Sequence, residues 1–126
     1  MLKLPSLGEI DREVAVRIYL ATAPADMRQG FDRLAAHVKA FLGCDPLSGH
    51  LFLFIGRGHD RLKILYWDSD GFALWYKRLE QGTFRLPRID PAAARVELKA
   101  SELAMLLAGI DLKSIKRRPR FTPMKK

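Results

Sequence analysis

The sequence predicts an α+β fold: a mostly antiparallel sheet in β-α-β-β-β order, carrying one long amphipathic helix and a short C-terminal helix. Three observations predict it. Apolar residues recur at steps of three and four through residues 26–42, three short apolar runs between residues 51 and 79 are separated by clusters of turn-forming residues, and a second stretch of helical period ends at Gly109. With 126 residues, 48% hydrophobic and 29% charged, the chain has the composition of one ordinary globular domain rather than of a disordered segment.

Taken in order, residues 1–13 hold no sustained period and include Pro5 and Gly8, so they read as a loose lead-in to a single domain over residues 14–112. Val14–Ala21 is rich in β-branched and aromatic residues and reads as the first strand. From Asp26 to Leu42, the residues Met27, Phe31, Leu34, Ala35, Val38, Phe41 and Leu42 form one stripe on a helix. Asp26 suits its start as a cap or as a charge at the positive end of the dipole, and Gly43 suits a left-handed stop. Gly30 costs about 1 kcal/mol relative to alanine inside a helix, which suggests close backbone packing there.

The runs Leu51–Ile55, Arg61–Trp67 and Phe72–Leu79 read as a meander, because Gly56–Asp60 and Asp68–Gly71 supply turn residues between them. Setting Trp67 opposite Phe72 places Leu65 opposite Leu74, Lys63 opposite Tyr76 and Arg61 opposite Arg78. Alternation then puts Leu62, Ile64, Tyr66, Ala73 and Trp75 on the other face, joined by Phe52 and Phe54, as the expected seat of the long helix. Gly82–Ala94 reads as a loop, Arg95–Leu98 as a short strand, and Ser101–Ala108 as the second helix, closed by Gly109.

The chain carries a formal charge of +8, and seven of its cations lie at Lys113, Lys116, Arg117, Arg118, Arg120, Lys125 and Lys126. About +1 remains for all that precedes them, so residues 113–126 form a basic tail suited to neutralising phosphates without reading sequence. The opposite reading is a solubilising terminus. A second cationic group, Arg57, Arg61, Lys63 and Arg78 beside Tyr76, is expected on the wet face of the sheet, where rings stack on bases and cations meet phosphates. The plain alternative is an ordinary solvated sheet face.

Asp68 and Asp70, two residues apart in W-D-S-D-G, suit a shared Mg²⁺ in a nuclease, but the same residues suit an ordinary hairpin turn. One cysteine, Cys44, excludes an internal disulfide, and His37, His50 and His59 have no metal-ligand spacing, so no cofactor or metal is expected. The glycine loop G-R-G-H-D lacks the phosphate-binding G-K-[ST] pattern. No apolar run approaches the roughly 20 residues of a membrane span, and no secretory signal is evident, so a cytoplasmic protein is expected.

Several stretches in fixed order resemble the TnpB-type accessory protein of insertion-sequence-sixty-six transposable elements. They are V-R-I-Y-L-A (Val16–Ala21), D-M-R-Q-G-F-D-R-L-A (Asp26–Ala35), D-P-L-S-G-H-L-F-L-F (Asp45–Phe54), D-R-L-K-I-L-Y-W-D (Asp60–Asp68), G-F-A-L-W-Y-K-R-L-E (Gly71–Glu80) and L-A-M-L-L-A-G-I-D (Leu103–Asp111). The resemblance implies a small helper in DNA transposition, distinct from the RNA-guided nuclease that shares the label, with the phosphodiester chemistry belonging to a larger transposase. DNA and the element-encoded transposase proteins are then the expected partners, and no catalytic residue is carried over. Where the family tends to have T-P before the last helix, this chain has Lys99-Ala100, which leaves Ser101 as the expected cap. Three classes of role follow: a noncatalytic DNA-associated accessory, a metal-dependent nuclease using Asp68 and Asp70, and a pure protein adaptor.

Overall fold

In a computed structural model of the chain, residues 16–109 are described; the lead-in and the basic tail lie outside the described residues. Five strands form one mixed sheet: β1 (Ile18–Ala21), β2 (Leu51–Ile55), β3 (Arg61–Asp68), β4 (Gly71–Arg78) and β5 (Arg95–Leu98), in the spatial order β4-β3-β2-β1-β5. Only the β1–β2 pair is parallel, since the chain between them crosses over through a helix; the other three pairs are antiparallel. The α+β class and the short closing helix α2 (Ala100–Ala108) match the sequence reading. No helix among the described residues is long and apolar enough to cross a membrane.

The crossover helix is shorter than its apolar stripe. α1 occupies Phe31–His37 and continues as a wider π-helical turn, Val38–Leu42, so the predicted stretch from Asp26 loses its first five residues. Those residues spend their hydrogen bonds locally. The Asp26 carboxylate accepts the Arg28 backbone N–H at 2.9 Å, the Asp26 carbonyl accepts Gln29 N–H at 3.0 Å, and Gly30 is extended at φ −101 and ψ −157. Asp26 therefore caps a turn and not the helix. Gly30 is not a point of close packing either, because a Cβ there would meet nothing within 4 Å.

The widened turn has a packing reason. Leu34, Val38 and Leu42, spaced by four, are the buried residues of this element. Four residues of ideal α-helix overshoot a full circle by about 40°, and a wider turn removes that drift so that all three face the sheet. Phe31 and Phe41, also in the stripe, are 47% and 68% exposed. Gly43, at φ 65, ends the element in the left-handed conformation expected of it.

The β3–β4 register is the one the turn implied: Trp67 faces Phe72, Leu65 faces Leu74, Lys63 faces Tyr76 and Arg61 faces Arg78. The face assignment differs. Phe52 pairs with Leu65 and Phe54 with Lys63, so these phenylalanines lie on the Leu65 face, packed with Leu34, Val38 and Leu42 of α1. Leu62, Ile64, Tyr66 and Ala73 instead join Leu51, Leu53 and Ile55 against Leu103 and Leu106 of α2 and Phe84 of the long loop. The sheet is covered on both sides, which is why every residue of β2, L-F-L-F-I, is buried.

α2 opens at Ala100 with Lys99 as its N-cap, so Ser101 does not cap it; the Glu102 carboxylate accepts the Lys99 backbone N–H at 2.9 Å. That is half of a capping box, because a lysine side chain has no acceptor to offer the first-turn amides. Lys99→Thr supplies the missing acceptor at extended backbone, and is expected to stabilise the fold by about 0.5–2 kcal/mol, read as a raised midpoint in denaturant. An unchanged midpoint would mean that the first-turn amides are already satisfied by water.

Candidate nucleic-acid interface

One cleft gathers arginines from two separate segments. Beyond β1 the chain pairs Ala25 in parallel with Gly56, and the Ala25 N–H donates to the Ile55 carbonyl at 2.9 Å, which pins Pro24–Arg28 beside the end of β2. Gly56 is buried, and a Cβ there would lie 2.8 Å from Met27 Cγ. The close approach of the two segments thus depends on a residue without a side chain. Beyond Gly56 the loop closes on itself, with Gly56 N–H donating to the Arg61 carbonyl at 3.0 Å and His59 N–H to the Gly56 carbonyl at 2.9 Å.

The result is an open cleft of about 610 Å³ with Arg28 on one wall and Arg57 and Arg61 on the other, together with Asp26 and Asp60. A second hollow of about 350 Å³, lined by Asp26, Arg28, Gln29 and Arg33, shares two of those residues. Asp26 is committed to Arg28, which donates to it through Nε and Nη2 at 2.9–3.3 Å. Hydrogen bonds from the Arg28 side chain and backbone hold the Asp26 carboxyl down to about 2, so the pair stays charged at any physiological pH. Arg33, Arg57 and Arg61 enter no ion pair among the described residues.

Arg61 also lies directly across from Arg78 on the neighbouring strand, and Arg78 is held by Glu80 at 3.0 Å. Like charges opposite one another on a sheet are destabilising, and an anion between them would relieve the repulsion. Chemically, the cleft offers exposed guanidinium groups to phosphate oxygens.

Of the residues singled out from sequence, Arg57 and Arg61 meet in this cleft, Arg78 stands beside Arg61, and Tyr76 is 48% exposed. Lys63 is a correction. It is only 6% exposed, its ammonium donates to the Gln29 carbonyl at 2.7 Å, and it lies 4.8 Å from the centre of the Tyr76 ring. Burial pushes its pKa down, and the cause is that its face of the sheet carries the α1 layer rather than water. Lys113, Lys116, Arg117, Arg118 and Arg120 lie outside the described residues.

Sequence reasoning missed Arg28 by treating the whole of Asp26–Leu42 as helix, and missed Arg33, which does lie in α1, because nothing in the helical stripe marks the hollow beside it. The available signal was the D-M-R-Q-G stretch, in which an aspartate followed by a glycine marks a turn before the helix. Asp68 and Asp70 flank Ser69, which sits at φ 58 in the two-residue loop joining β3 to β4. No group of three His, Cys, Asp or Glu side chains placed to hold a metal ion occurs among the described residues.

Comparison with known proteins adds an independent line. A family model described as IS66 Orf2 like protein matches residues 16–117. The chain is 38% identical over 110 residues to the uncharacterized protein y4jC of Sinorhizobium fredii, covering 87% of this chain and 92% of that protein. It is 41% identical over 96 residues to the uncharacterized protein y4hO of the same organism, covering 76% of this chain and 82% of the other. No solved structure matches it.

Proposed function

Because this chain belongs to the IS66 Orf2-like family, we propose that it serves transposition as a noncatalytic accessory that holds DNA by its phosphate backbone, from the cytoplasm, alongside the element-encoded transposase. The observation that carries this reading is the convergence of Arg28, Arg57 and Arg61 on one open cleft, with Arg57 and Arg61 free of ion pairs among the described residues. Arg33 and Arg78 extend the same cationic surface, Tyr76 adds an exposed ring beside it, and the basic tail contributes Lys113, Lys116, Arg117, Arg118 and Arg120. Lys63 holds the surface in place rather than touching the ligand. Guanidinium contacts to phosphate give affinity that falls steeply with salt and depends little on sequence, which suits a helper whose site choice is made elsewhere.

The test is a titration of duplex DNA at several salt concentrations with the full chain, with Arg57→Ala/Arg61→Ala, and with residues 113–126 removed. Loss of two phosphate contacts is expected to flatten the slope of log K against log salt by about 1.8. Tail removal is expected to flatten it further and separately. If the double variant keeps the full slope, the cleft is not the DNA surface. If the full chain ignores DNA at low salt yet co-purifies with transposase proteins, the role is that of a protein adaptor.

A further inference from the structure

β4 stands at one edge of the sheet, paired with β3 on one side and with no strand among the described residues on the other. Such edges are normally blunted by shortness, proline, a bulge or an inward charge. β4 has few of these guards: it runs for eight residues, Gly71–Arg78, without proline, and its eight pairs with β3 run without a bulge. Its side chains stay partly open to solvent, with Phe72, Leu74 and Trp75 half-buried and Tyr76 exposed.

Two copies of one edge strand can join only antiparallel, about a two-fold axis normal to the sheet, and facing residues must then project to the same side. Self-pairing centred on Leu74 satisfies this condition and makes every partner compatible. Leu74 meets Leu74 of the other copy, Ala73 meets Trp75, and Phe72 meets Tyr76, which are apolar, small-against-large and aromatic pairs. Lys77, the one charge that would guard the edge from within, falls opposite Gly71, which presents no side chain. Asp70, the last residue of the β3–β4 turn, comes beside Arg78, whose present partner is Glu80 at 3.0 Å, so each end of the joint brings opposite charges together. Centring on Trp75 instead would set Phe72 against Arg78 and Ala73 against Lys77, apolar side chains against charges.

We propose that β4 is a self-association edge through which a second copy of this chain adds its own β4, antiparallel and in register at Leu74, to form a continuous ten-stranded sheet. This goes beyond the DNA-binding reading and does not rest on it. The experiment uses the full chain without DNA, in sedimentation equilibrium from about 1 µM to about 1 mM. The wild type is expected to move from 14.3 kDa toward twice that mass as concentration rises. Asp70→Arg and Arg78→Asp, both at exposed positions, are each expected to weaken association by on the order of tenfold or more, and the two substitutions in one chain to restore it. In a Cys44→Ser background, Leu74→Cys is expected to oxidise to a covalent dimer, since self-paired positions lie within disulfide reach, whereas Tyr76→Cys, which faces Phe72, is not. A chain that stays at 14.3 kDa throughout, or a dimer indifferent to both charge reversals and to the Leu74→Cys bridge, overturns the proposal. Circular dichroism melts of each variant separate lost association from lost folding.

Discussion

Phe54→Ala is expected to destabilise the protein by about 3–5 kcal/mol, enough to lower the midpoint of thermal unfolding by on the order of 10–20 °C. The ring is fully buried in the middle of the sheet, on the face that carries α1, with the His37 ring edge-on to it at 5.5 Å. Leu34, Val38 and Leu42 belong to the same buried cluster, so truncation opens a cavity between two rigid layers rather than at a margin able to collapse. Phe41→Ala is the matched control. It removes the same atoms from a residue 68% exposed and is expected to change stability by about 0.5 kcal/mol or less. Similar losses from the two variants in urea titrations would mean that α1 meets the sheet through the other side of its stripe.

Lys63→Ala is expected to cost about 2–4 kcal/mol, while Lys63→Met costs distinctly less. The alanine removes both the apolar stem packed on the sheet and the donor to the Gln29 carbonyl; methionine keeps most of the stem and avoids burying a charge. The contrast separates scaffold from ligand contact. With the fold retained, Lys63→Met is expected to bind duplex DNA within about twofold of the wild type, with an unchanged salt slope, because its ammonium is turned inward toward Gln29 and Tyr76. A slope flattened by about 0.9, as for one lost phosphate contact, would return Lys63 to the DNA surface.

The family was legible from the order of its short motifs, and the match over residues 16–117 agrees with that reading. The candidate site was legible in part. Arg57 and Arg61 stand beside a glycine loop that any turn rule finds, but Arg28 reaches the cleft because Ala25 pairs with Gly56, 31 positions along the chain, and Arg33 lines only the adjoining hollow. Nothing local to D-M-R-Q-G announces that pairing. The helix was overextended for a related reason: its apolar spacing persists upstream to Met27, while the distant Lys63 ammonium takes up the Gln29 carbonyl that a helix would have bonded to the Arg33 N–H.

What the sequence by itself determined is what short-range geometry can settle. The hairpin register from Arg61↔Arg78 to Asp68↔Gly71 follows from the length of one turn, the strand at Arg95–Leu98 from its residue types, and the ends at Gly43 and Gly109 from the left-handed conformation each adopts. Which face of the sheet each helix covers was decided only by the tertiary structure. Alternation assigns residues to two sides without saying which layer lies on either, and here both sides are apolar, so L-F-L-F-I carries no mark of inside and outside. The choice rests on how β2 registers against β3 and on the crossover that makes β1 and β2 parallel, both set by contacts between distant segments. That choice turned Lys63 from a solvent-facing cation into a buried strut beneath the start of α1.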